Sequence, residues 1–202
     1  MKKRFYCLFL ACLLMLAFTG CNKKTETAAE ASETSESAVN AETVETTEEA
    51  KETDPADAFK PFEDPKGAFT AAFPGTPEES VQMVPAAGTS VELHSYYVEL
   101  SDTAYNVIYS DYPEGSVTDT AAVLESAMTG IPYPIEESKD IMLGDYAGKE
   151  VKYSGQSGSD TITFYQRVYV VGDRMYQLQA MNTTGERSPE VDVFFDSFAL
   201  SE

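Results

Sequence analysis

The sequence predicts an α+β fold, an antiparallel β-sheet covered by two helices. Three observations predict it. Several stretches alternate apolar and polar residues with period two, and short turn signals separate them. Two stretches change to helical spacing, one in the middle and one at the end of the chain. The order is therefore strands, helix, strands, helix, and strands joined by short turns pair antiparallel.

"GAFTAAFPGTP" from Gly67 alternates and then breaks at Pro74-Gly75, as a strand entering a turn does. "ESVQMVP" is a second, shorter strand, and "TSVELHSYYVEL" and "TAYNVIYSDYP" are longer ones separated by Ser101-Asp102. Val117, Ala121, Leu124 and Met128 then fall at helical spacing. Ser116 is the expected N-cap, and Gly130 with Pro132 stops the helix. Two weaker strands are expected around Glu137–Leu143 and Lys149–Ser154. "DTITFYQRVYVV" and "RMYQLQAMN" form the clearest hairpin, turning at Gly172-Asp173. Ser188-Pro189 opens the closing helix, whose apolar face carries Val191, Phe194, Phe195 and Phe198.

Ahead of this domain the composition changes twice. Met1-Lys2-Lys3-Arg4 is followed by the apolar run Phe5–Phe18, which has the anatomy of a secretory leader and falls short of the roughly 20 residues that span a bilayer. Phe18-Thr19-Gly20-Cys21 resembles a bacterial lipobox. That resemblance implies cleavage after Gly20, a diacylglycerol and palmitate-type lipidation at Cys21, and attachment to the cell membrane at its extracytoplasmic face. Residues 22–58 hold 11 acids, three lysines and no aromatic residue, a composition that cannot repay the entropy of folding. They read as a disordered tether with a reach of roughly 30–35 Å. The expected organisation is a leader over 1–20, Cys21 and its acidic tether over 21–58, and one domain over 59–202. The long tether favours a Gram-positive type of envelope, where it would lift the domain into the wall.

"AFTAAFPGTP", the middle helix, "YQRVYVVGDRMYQLQA" and "VDVFFDSFAL" together resemble a PsbP-like domain, over most of Phe59–Glu202. The resemblance implies an α+β fold of a kind that also occurs in bacterial lipoproteins. It implies a largely non-enzymatic role and brings no shared catalytic motif.

Charge excludes some functions. The chain has 14 basic against 34 acidic residues, and loss of Lys2, Lys3 and Arg4 with the leader takes its net charge from −20 to −23. Nucleic acid demands a basic surface, so no nucleic-acid partner is expected. Anionic lipid headgroups repel such a chain, so membrane attachment rests on the lipid at Cys21. Cys7, Cys12 and Cys21 are the three cysteines, and none lies in the domain.

Catalytic signals are weak. His94 is the single histidine, and without cysteine or metal-ligand spacing it reads as a packed or solvated strand residue on the face opposite Leu93 and Tyr97. "SGQSGSD" from Ser154 is not a nucleophile elbow and reads as a hairpin loop. Phosphate-binding glycine motifs and calcium loops are absent, and neighbouring glutamates such as Glu78-Glu79 and Glu136-Glu137 read as solvated surface. No catalytic residue, metal or cofactor is expected.

Tyrosine stands out, with 12 in the chain and no tryptophan. Tyr165, Arg167 and Tyr169 share one strand face by period two, while Ile162, Phe164, Val168 and Val170 share the other, which is the better core face. Tyr165, Arg167 and Tyr169 are the candidate binding face, since interfaces enrich tyrosine and arginine. The same face also suits plain cross-strand packing. Lys152 lies on a weaker strand with no matching tyrosine pair. The expected function is a non-catalytic binding or accessory domain that meets an envelope protein or component. The alternatives are a small-molecule-binding lipoprotein with a tyrosine-lined cleft, and a hydrolase.

Overall fold

The computed structural model describes residues 55–86 and 89–201. The expected leader, Cys21 and the acidic stretch up to residue 54 lie outside the described residues; only 55–58 of the expected disordered tether are described, and they form a 3-10 turn instead. A 3-10 turn, Pro55–Ala58, leads into Phe59, which is buried. Five strands follow: β1 (Lys60–Asp64), β2 (Phe69–Phe73), β3 (Glu78–Ala86), β4 (Thr89–Glu99) and β5 (Thr103–Asp111). Helix α1 (Thr120–Thr129) separates them from β6 (Ile135–Leu143), β7 (Tyr146–Ser157), β8 (Asp160–Val171) and β9 (Arg174–Asn182). Helix α2 (Pro189–Asp196) and the two-residue strand β10 (Ala199–Leu200) close the chain. The architecture is α+β and dominated by sheet.

Seven antiparallel strands form the main sheet in the order β3-β4-β5-β9-β8-β7-β6. A small sheet, β1-β2-β10, joins α2 on one of its faces. There Phe69, Phe73 and Phe194 meet Tyr96, Tyr105, Tyr109 and Tyr176 in one aromatic cluster, with Phe194 lying 5.2 Å from Tyr105 between ring centres. Helix α1 covers part of the opposite face, packing Leu124, Ala127 and Met128 against Phe164, Val168 and Met181. Both faces of the central strands are therefore buried, including the polar residues Asn106, Gln166 and Gln179 that interrupt their apolar positions.

Much of the expected order is present, with specific differences. The turn at Gly172-Asp173 joins β8 to β9, and Gly172 takes the left-handed φ of +60° that such turns require. Pro189 opens α2 and Gly130 ends α1, as their local chemistry predicts. The N-cap of α1 is Asp119, not Ser116. Asp119 Oδ1 accepts the Ala122 N–H at 3.0 Å, whereas the segment around Ser116 is held to the sheet by Asp173, which accepts from Gly115 N at 2.7 Å and Val117 N at 2.9 Å. "SGQSGSD" is mostly strand: β7 runs to Ser157, β8 starts at Asp160, and only Gly158-Ser159 turn. The small sheet was not anticipated, because "KPFED" carries a proline and three charges and reads as loop. Pro61 is tolerated because β1 is an edge strand.

The candidate binding face needs correction. Tyr165, Arg167 and Tyr169 do share one face of β8, but that face does not project into solvent. Tyr165 and Tyr169 are buried, and Arg167 is largely covered by α2, its guanidinium 4.8 Å from the Phe195 ring centre. The reason lies in the second apolar surface. Phe194, Phe195 and Phe198 have to be removed from water, and the tyrosine face of the sheet is what they cover.

Candidate functional site

Cross-strand register builds a row of alternating charge on this face. Glu150 of β7 lies opposite Lys139 of β6 on one side and Arg167 of β8 on the other. One pair further along, Lys152 lies between Glu137 and Tyr165. Opposite charges placed directly across strands stabilise the pairing. A fourth basic residue, Arg187, enters from the loop between β9 and α2. Asn182 shapes that loop: its side chain accepts from Gly185 N at 2.9 Å and donates to Glu186 O at 2.8 Å. Gly185 adopts φ +80°, and Tyr165 donates its hydroxyl to the Gly185 carbonyl at 3.3 Å.

These elements enclose an open cleft of about 530 Å³, with β6, β7 and Tyr165 on one side and Gly185–Arg187 on the other. Glu150 forms its floor. The carboxylate accepts from Arg167 Nε at 2.6 Å, from Arg187 Nη1 at 2.9 Å and from Lys139 Nζ at 2.9 Å. Arg187 also grips Asp192 at 2.6 Å and lies 5.4 Å from the Tyr165 ring centre. Arg167 reaches Asp196 at 2.9 Å. Lys152 is held more loosely, with Glu137 at 3.5 Å and Glu136 at 3.6 Å.

Burial works to raise the Glu150 carboxyl, but hydrogen bonds from Lys139 and Arg167 and the charges of the two arginines outweigh it, leaving it below the ordinary glutamate range. Burial works to lower Lys152 and Arg187, and their acidic surroundings more than compensate, so both lie above their usual values. Burial raises the Tyr165 phenol further than the neighbouring Lys152 and Arg187 lower it. The shifts favour the ionised forms of Glu150, Lys152 and Arg187 and the neutral phenol of Tyr165.

Of the three residues singled out in the sequence, Tyr165 lines the cleft, Arg167 braces its floor through Glu150, and Tyr169 takes no part. Tyr169 lies in the core, parallel to Phe198 at 6.2 Å. Lys152, which no tyrosine pair flanks on its own strand, faces Tyr165 directly across the strands. Glu150, Lys139 and Arg187 were missed. The alternation Lys149-Glu150-Val151-Lys152 hinted at a two-sided strand, but nothing in the sequence brings Arg187 to it.

His94 is packed, on the face opposite Leu93 and Tyr97 as expected. Its ring stacks on Tyr109 at 4.6 Å, and its Nε2 lies 3.0 Å from Glu92 and 3.2 Å from Lys66. Among the described residues no three histidine, cysteine or acidic side chains are grouped to hold a metal ion, and no helix is long and apolar enough to cross a membrane.

No protein-family model and no curated protein matches the chain. Solved structures similar to it include a protein of Bacteroides thetaiotaomicron, at 11% identity and TM-score 0.48, over 72% of this chain and 49% of that one. The chain thus spans about half the length of that protein. LpqN, involved in cell envelope biogenesis of Mycobacterium tuberculosis, is similar at 14% identity and TM-score 0.38, over 71% of this chain and 91% of that one. PA94 of Pseudomonas aeruginosa, a protein of unknown function, is similar at 14% identity and TM-score 0.34, over 52% and 83%.

Proposed function

We propose that this chain is a non-catalytic binding domain of the cell envelope, and that it receives its ligand in the cleft between β6, β7 and the Gly185–Arg187 loop. The observation that carries this reading is the charge network of the cleft: Glu150 accepts from Arg167, Arg187 and Lys139 at 2.6–2.9 Å, and Lys152 and Arg187 both lie beside Tyr165. Fixed charges and hydrogen bonds of this kind suit recognition.

The location belongs to the same proposal. The leader and Phe18-Thr19-Gly20-Cys21 support a lipid at Cys21, and the acidic stretch after it supports a tether on the extracytoplasmic face of the membrane, in an envelope of Gram-positive type. The finer fold assignment, PsbP-like, is supported by the order of strands, middle helix, hairpin and closing helix.

Two measurements in the native host test the reading. Cys21→Ser should abolish acyl labelling and release processed protein from membranes; unchanged labelling removes the anchor. A photo-crosslinking residue in place of Glu186, on the loop at the rim of the cleft, should form an adduct with an envelope component in intact cells, whereas one in place of Thr118, before α1, should not. Absence of any adduct from Glu186 removes the cleft as the site that meets an envelope component.

A further inference from the structure

Basic residues are scarce in this domain. Between Pro55 and Glu202 only Lys60, Lys66, Lys139, Lys149, Lys152, Arg167, Arg174 and Arg187 are cationic. Half of them, Lys139, Lys152, Arg167 and Arg187, gather at one cleft. Their balance is uneven with depth. Glu150, Arg167, Lys152 and Arg187 expose only 7–28% of their side chains, whereas Glu136, Glu137, Asp192 and Asp196, which partner them from outside, expose 42–73%. Charges in solvent are screened, and those withdrawn from it are not. Among the charges largely withdrawn from solvent a single carboxylate therefore stands against three cations, with Glu137 and Glu186 at the exposed rim, in a chain whose overall charge is −20.

Lys152 has hydrogen-bonding capacity to spare. Its acidic neighbours, at 3.5 and 3.6 Å, lie beyond good hydrogen-bond distance for an ammonium with three donors. It faces Tyr165 across the strands, and Arg187 covers the Tyr165 ring at 5.4 Å. An anionic group between Lys152 and Arg187 would meet two cations at the wall of the cleft. A cavity of about 530 Å³ has room for more than a bare ion, since small-molecule sites occupy a few hundred Å³ or more.

Resting on the binding-domain reading, we infer that the cleft takes a small organic oxyanion, a sugar-sized molecule bearing a carboxylate or phosphate, with its charge seated between Lys152 and Arg187 beside Tyr165. The cations supply attraction, and the exposed backbone at Ser138 and Gly185 on the two sides of the cleft supplies a surface for the neutral part of the ligand.

Calorimetry on the full chain in mild detergent, titrated with glucuronate, glucose 6-phosphate and glucose at millimolar concentration, tests this. At least one of the two anions should bind and glucose should not; which anion binds distinguishes carboxylate from phosphate. Added salt should weaken the binding. Lys152→Gln should weaken it by about tenfold or more, the scale of one charge-assisted hydrogen bond, with an unchanged melting curve. Lys60→Gln, the same charge change on β1 outside the cleft, should leave binding as it was. Failure of both anions to bind, equal binding of glucose, or equal effects of the two lysine variants overturns the inference. The two readings fail separately. A Glu186 adduct in cells without anion binding in solution leaves the binding domain standing and removes the oxyanion; anion binding without an adduct keeps the oxyanion site and removes an envelope component as what the cleft holds.

Discussion

Arg167 donates through Nε to Glu150 at 2.6 Å beneath α2, with its guanidinium 4.8 Å from the ring centre of Phe195. The pair thus joins β7, β8 and the closing helix. Arg167→Glu would place a carboxylate beside Glu150 and Asp196. Breaking a buried ion pair from one side costs about 3–5 kcal/mol, and charge reversal lies at the upper end. A large fall in the urea midpoint is expected. An unchanged midpoint would mean that α2 does not cover this face in solution.

Glu150 should also set part of the acid sensitivity of the fold. Its folded pKa lies below the ordinary value of 4.5. A depressed carboxylate adds stability that is fully present above its unfolded pKa and is lost as pH falls through the folded pKa. Stability should therefore decline from about pH 4.5 downward. Glu150→Gln should be less stable at pH 7, where it removes the negative charge that Lys139, Arg167 and Arg187 share, and should lose less on acidification. Urea titrations across this pH range measure both effects, and parallel curves for the two proteins would exclude the linkage.

Phe194 has no exposed surface and meets Phe73 and Tyr105 at ring distances of 5.4 and 5.2 Å. Phe194→Ala should cost about 3–5 kcal/mol, a large part of the stability of a domain of this size. Denaturant unfolding followed by tyrosine fluorescence reports it directly.

Gly148 is required for close approach. A Cβ there would overlap the Tyr169 ring and the Val168 carbonyl oxygen of the neighbouring strand. Backbone cannot give way as a flexible side chain can, so Gly148→Ala should destabilise by about 1–3 kcal/mol, read from the same denaturation curves.

Asp173 holds the segment before α1 by accepting from Gly115 and Val117, and those hydrogen bonds keep its carboxyl below the ordinary aspartate range. Asp173→Ala should speed hydrogen exchange at both amides while the amides of β8 and β9 stay protected. Unchanged exchange at Gly115 and Val117 would show that other contacts hold the segment.

Local chemistry alone determined a good deal of this protein. Period-two alternation marked β4, β5, β8 and β9, Gly172 marked the hairpin, Pro189 marked the start of α2 and Gly130 the end of α1, because each signal acts within a few residues of itself. Packing decided the rest. β8 carries apolar residues on one face and tyrosines on the other, and either face can be buried, so its own residues do not say which side α2 will cover. That depended on where Phe194, Phe195 and Phe198 found a matching surface. The cleft follows from register: Lys139, Glu150, Arg167 and Arg187 are far apart in the chain and meet only because antiparallel pairing aligns β6, β7 and β8 and Asn182 turns the final loop back over them. A charge gains its partners and loses its water through neighbours distant in sequence, so both the seat and the burial of its floor belong to the tertiary structure.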